Sequence, residues 1–97
     1  MEKLALLVTL KAKPGKEAEV EQFLKGGLAL VQQEPDTQNW YALKISEGKY
    51  GIFDTFNDEK GRDAHLSGKV AEALMANAAD LFSTAPAIEK VELIAVK

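Results

Sequence analysis

The chain has no cysteine and only one histidine. The lack of cysteine excludes disulfides, thiolate metal sites and thiol nucleophiles together, and it fits a reducing cytosol. With one histidine and no carboxylates at recognisable ligand spacing, the sequence offers no metal site and implies no cofactor. No Lys/Arg run stands out and the formal charge is −3, so the footprint of a nucleic-acid binder is missing. No apolar stretch approaches the length that crosses a bilayer. Met1-Glu2-Lys3 leads straight into a patterned segment, without the basic, apolar and small-residue sections of a secretory signal. There is no glycine-rich phosphate loop either, because Gly26-Gly27 falls inside a helical pattern and not after a strand. Together these absences predict a cytoplasmic protein without nucleic-acid or membrane partners.

What remains is globular. The 97 residues are 46% hydrophobic and 28% charged, values suited to a single domain spanning 1–97. A domain this short buries only a modest share of its surface alone, so pairing with a second copy is physically reasonable.

Leu4 to Ala12 reads as a strand with Leu4, Leu6, Val8 and Leu10 on one face and Ala5, Leu7 and Thr9 on the other. After the breaker Lys13-Pro14-Gly15, Lys16 to Gln33 places Val20, Phe23, Leu24, Gly27 and Val31 on one helical stripe. Glu34-Pro35-Asp36 breaks again. Asn39 to Glu47 and Tyr50 to Phe56 alternate about a short turn, which predicts a hairpin. Asn57 or Asp58 caps a short helix over Glu59 to His65, ending near Leu66. A longer helix is expected over Lys69 to Phe82, with Val70, Leu74, Met75, Ala78, Leu81 and Phe82 inward. The last strand is expected over Ile88 to Val96.

The order β-α-β-β-α-β, with the second helix broken in two, is that of the ferredoxin-like α+β fold. Helices should cover one face of a four-stranded antiparallel sheet. The other face stays apolar, which predicts a homodimer closing sheet to sheet into a barrel.

Within this order, Asp54-Thr55-Phe56-Asn57-Asp58-Glu59 and Ala64-His65-Leu66-Ser67 resemble the antibiotic biosynthesis monooxygenase domain family of dimeric α/β-barrel proteins. The resemblance covers essentially the whole chain. It implies a cofactor-independent monooxygenase acting on a small aromatic or quinol-like substrate, in a pocket between helices and sheet. The alternative it leaves open is a dimer that binds a small ligand without turnover, or a purely structural domain. The family's haem-degrading branch has Asn, Trp and His at positions that align with Leu7, Phe56 and Leu74, and none of the three matches.

The resemblance puts His65 at the mouth of the pocket, where it would take a phenolic proton or orient a substrate oxygen. A histidine that caps a helix-end carbonyl or lies exposed is the plainer alternative. Trp40 and Tyr41 point to opposite faces of one strand, and either could stack on a flat ring or simply pack. Asn39 beside them would donate to a substrate carbonyl, or serve ordinary turn chemistry. Phe56 completes the candidate set as the aromatic that the family carries at the end of its third strand. Asp54, unusual in a strand, is expected to pair with Lys44 across the hairpin. Arg62 and Asp63 are expected in solvent.

Overall fold

The segment Leu4–Lys11, apolar on both sides of its alternation, is strand β1 in the interior of a four-stranded antiparallel sheet. The structure is a computed structural model that describes all residues, 1–97. Helix α1 (Glu17–Val31) follows, then strands β2 (Thr37–Ser46) and β3 (Lys49–Phe56), helices α2 (Glu59–Leu66) and α3 (Lys69–Leu81), and strand β4 (Ala87–Glu92). The sheet order is β2-β3-β1-β4, so β2 and β4 are its edges. This is the ferredoxin-like arrangement that the order of elements predicts.

Register fixes which side chains meet. Leu4 lies opposite Phe56 on β3 and Glu92 on β4, and Trp40 on β2 lies opposite Asp54. β2 and β3 join over Glu47-Gly48, with Gly48 at φ +76°, a left-handed conformation suited to a two-residue hairpin loop. α1 and α3 cover one face of the sheet. Between them lies a core of Val8, Leu10, Val20, Leu24, Tyr50, Ile52, Leu74, Leu81 and Phe82. Each large side chain buried there contributes about 1.5–3 kcal/mol. At Gly27 a Cβ would stand 3.4 Å from the Trp40 ring, so the glycine lets the indole lie directly against α1.

The opposite face of the sheet has no helix. By alternation it carries Leu7, Phe53 and Val91, which are half-buried, and Tyr41, Leu43 and Ile45, which are exposed.

One boundary and one facing assignment differ from the sequence reading. β4 ends at Glu92 and not at Val96, because Glu92 already faces Leu4, the first residue of β1. Only the Leu93 N–H reaches farther, to the Lys3 carbonyl at 2.9 Å, and Ile94 is fully exposed. Met75, assigned to the inward stripe of α3, is largely exposed, while Val70, Leu74 and Leu81 are buried. It follows Leu74 by one residue, about 100° around the helix. No helix is long and apolar enough to cross a membrane.

Candidate functional site

Two regions on the helix side of the sheet hold the residues of interest. The first begins with β3, whose inward positions are Tyr50, Ile52, Asp54 and Phe56, all fully or nearly fully buried. Asp54 therefore enters the interior in the middle of an apolar series. α2 lies above it. Asp58 caps α2 by accepting from the Gly61 N–H at 2.8 Å. Gly61 also lets this first turn approach the α1–β2 connection, since a Cβ there would stand 3.2 Å from the Asp36 carbonyl oxygen. That approach brings Glu34 beside α2.

His65, one turn after Arg62 on α2, sits between two carboxylates. Its Nδ1 is 2.6 Å from Glu34 Oε1 and its Nε2 is 2.8 Å from Asp54 Oδ2. The Asp54 contact has the distance of a close ion pair. Thr37 Oγ1 also donates to Glu34 Oε1, at 2.8 Å. The Phe56 ring lies 5.4 Å from the imidazole, tilted by 44°. Arg62, also buried, donates from Nη1 to the carbonyls of Ala5 and Val91 at 3.3 Å each, and its Nε has no partner.

Burial works against a charged imidazole here. The hydrogen bonds and negative charge of Asp54 and Glu34 outweigh it and hold His65 above its ordinary pKa. With a proton on each ring nitrogen, His65 is a cation held between the Asp54 and Glu34 carboxylates. The cluster ties β3, α2 and the α1–β2 connection together. Outside it is a polar hollow of about 280 Å³, walled by Glu34, Asp36, Thr37, Gly61, His65 and Lys69 among others. His65, Asp54 and Glu34 do not form a metal-ligand set, since the ring stands between the carboxylates.

The second region is a cavity of about 460 Å³ between α1 and β2. Seven of its ten lining residues are hydrophobic, among them Leu24 and Leu28 of α1, Trp40, Tyr41 and Leu43 of β2, and Tyr50 of β3. Because β2 is an edge strand, the cavity takes in residues from both of its faces. The buried Tyr50 hydroxyl donates to Glu21 Oε2 at 2.8 Å. That bond, with burial and the negative charge nearby, pushes Tyr50 up to about 12. It also holds the Glu21 carboxyl below its usual value.

The sequence-predicted residues are thus dispersed. His65 and Phe56 share the buried polar cluster. Trp40 and Tyr41 line the apolar cavity. Asn39 joins neither: it lies on the helix-free face and donates to Glu2 Oε1 at 2.6 Å, where Thr55 Oγ1 donates as well. His65 is neither an exposed helix end nor a pocket mouth with a free nitrogen. Two expectations fail outright. Asp54 does not pair with Lys44, because the hairpin register sets Lys44 opposite Tyr50, and Lys44 pairs instead with Glu21 and Glu47 at 3.6 Å each. Arg62 is not solvated, because it shares the inner face of α2 with His65. Glu34, read only as part of a breaker, was missed as a partner. The available signal was Asp54 itself, on the buried face of β3.

No protein-family model and no curated protein matches the chain. Solved structures do. The NE2512 protein of unknown function from Nitrosomonas europaea is 56% identical, with a TM-score of 0.97, covering 100% of this chain and 94% of that one. A structure from Caulobacter crescentus, named as a proposed antibiotic biosynthesis monooxygenase, is 23% identical with a TM-score of 0.82, covering 97% and 92%. Rv0793 from Mycobacterium tuberculosis is 12% identical with a TM-score of 0.86, covering 97% of each chain. The chain therefore belongs to the same family as the Nitrosomonas NE2512 protein, and its fold is the one it shares with the antibiotic biosynthesis monooxygenase structures.

Proposed function

We propose that this protein is a cofactor-independent monooxygenase acting on a small aromatic, quinol-like or anthrone-like substrate in the cavity between α1 and β2. The observation that carries this reading is the cavity itself: about 460 Å³, largely apolar, walled by Trp40 and Tyr41, with a Tyr50–Glu21 pair at its side. A flat ring stacks on the Trp40 indole among apolar side chains. A substrate hydroxyl donates to the Tyr50 oxygen while Tyr50 donates to Glu21, which gives the proton a path out. For an anthrone-like substrate, the carbanion reduces dioxygen and a C–O bond forms at the ring CH2. The resulting hydroperoxide then loses water. Two C–H bonds and the O–O bond break, one C=O forms, and the substrate supplies all four electrons.

The test is oxygen uptake with a panel of quinols and anthrones. Uptake should fall at least about tenfold in Glu21→Gln and Trp40→Ala, the loss expected when a proton acceptor or a stacking wall is removed. No uptake above buffer across the panel overturns the reading.

One observation favours a second reading, ligand binding without turnover. Both nitrogens of the only histidine are already engaged by carboxylates, so the residue best suited to accept a proton near neutral pH is spent inside the fold. Saturable ligand binding with no oxygen consumption would select it.

In either case the working unit is a homodimer closed sheet to sheet. The exposed Tyr41, Leu43 and Ile45 on the helix-free face support this pairing. Because Tyr41 and Leu43 also line the cavity, the partner would help to wall it. Sedimentation should give a dimer for the native chain and a monomer for Ile45→Glu. A native monomer at micromolar concentration would end this part of the proposal.

A further inference from the structure

α1 turns one flank toward β2. That flank is Glu21, Leu24, Lys25 and Leu28, spaced three and four residues apart and so stacked on one side of the helix. Only three of the residues lining the cavity carry charge: Glu21, Lys25 and Lys44.

These three are not equivalent. Glu21 Oε2 accepts the Tyr50 hydroxyl at 2.8 Å and lies 3.6 Å from Lys44 Nζ. Lys44 is shared in turn with Glu47 Oε2, also at 3.6 Å. Lys25 takes part in none of the salt bridges, although it lies near enough to Glu21 to stabilise that carboxylate. The cavity lining thus has more cations than anions, in a chain whose formal charge is −3. The excess charge lies at the rim, on the same flank as two leucines and across from an indole.

A mostly apolar cavity lined by one exposed ammonium outside the salt bridges matches a ring that bears an anionic substituent. The ring leaves water for the aromatic and aliphatic walls, while the anion stays at the rim beside the cation. A neutral ring would fill the same walls and leave the ammonium unanswered.

We propose that the ligand of this cavity is an aromatic carboxylate, a one- or two-ring system whose acid group pairs with Lys25 while its ring stacks on Trp40. The inference rests on the cavity being the ligand site, as argued above, but it does not depend on turnover.

The test compares 2-naphthoate with its neutral isostere 2-naphthamide on the native protein by titration calorimetry. Quenching of Trp40, the only tryptophan in the chain, reports occupancy of the site. Naphthoate should bind about fivefold tighter, the preference expected of one partly exposed ion pair. Raising salt from about 0.01 M to about 1 M should remove that preference without weakening the amide. Lys25→Met should bring the two probes to within about twofold of each other, whereas the surface control Lys60→Met should not. Equal affinities in the native protein, a preference that survives Lys25→Met, or no binding of either probe at millimolar concentration would each overturn the proposal. Oxygen uptake from 1,4-dihydroxy-2-naphthoate is recorded in parallel. A naphthoate preference without uptake sinks the monooxygenase reading alone, and uptake from neutral quinols without a preference sinks the carboxylate alone.

Discussion

The cluster around His65 and the cavity beside Trp40 are built from opposite materials. Around His65, two carboxylates, an imidazole and a guanidinium are drawn inward, and both ring nitrogens are engaged. Beside Trp40, the walls are aromatic and aliphatic, the space is larger, and the charged groups stand at the edge. The residue types most often associated with catalysis have gathered where the fold needs cohesion. The room for a ligand has opened where the sequence looks like ordinary packing. The only histidine is held inside the fold by two carboxylates, while Gly27 lets an indole lie against α1 beside open space.

The contrast breaks first at Asp54. Asp54→Ala leaves a buried cationic ring with one carboxylate fewer. It should cost about 3–5 kcal/mol of unfolding free energy in urea titrations, the usual loss when one partner of a buried pair is removed. A loss below about 1 kcal/mol would mean that the cluster does not hold α2 to the sheet.

The same cluster should leave a pH signature that starts near neutrality, whereas the Tyr50–Glu21 pair of the cavity is shifted away from it in both directions. The folded pKa of His65 is raised, so its pairing contributes fully below the unfolded value of about 6.5 and is lost as pH rises through the higher folded value. Native stability should therefore decline as pH rises above about 6.5, and His65→Gln should flatten that slope. An unchanged slope would assign the pH dependence to other groups.

The cavity is probed by Trp40→Leu, which should weaken ring binding about tenfold while leaving the pH profile of stability in place. If the pH profile moves with it, the two regions are coupled and the contrast softens. The smallest effect is expected at Gly26, where an added Cβ meets nothing within 4 Å. Gly26→Ala should stabilise the protein by about 0.5–1 kcal/mol through helix propensity alone, with ligand binding unchanged. Weaker binding in that variant would show that the cavity needs give in α1.

Period and punctuation made most of the fold legible. Alternation in Leu4–Leu10, the stripe through Val20 and Val31, and the Asp58 cap all carry local information. The site was less so, because its contacts join distant segments. Glu34 and His65 are 31 residues apart in sequence, and nothing local marks Glu34 as more than part of a turn. Asp54 was the exception, since its place between Ile52 and Phe56 already puts it on the inner face. Arg62 was expected in solvent, although its place three residues before His65 puts both on one face of α2. The end of β4 was misread for a different reason: the apolar alternation runs on through Val96, but β1 has no residues left to pair with it.

The position of β1 has a consequence for how the protein is made. Leu4–Lys11 leaves the ribosome before either of its neighbours, and waits until residue 56 is synthesised to pair on one side and until residue 92 to pair on the other. For most of synthesis it is an unpaired, two-sided apolar strand, the kind of segment that chaperones hold and that other nascent chains capture. Pulse-labelled chains halted before residue 56 should therefore depend on a holdase for solubility, and those halted after it much less so.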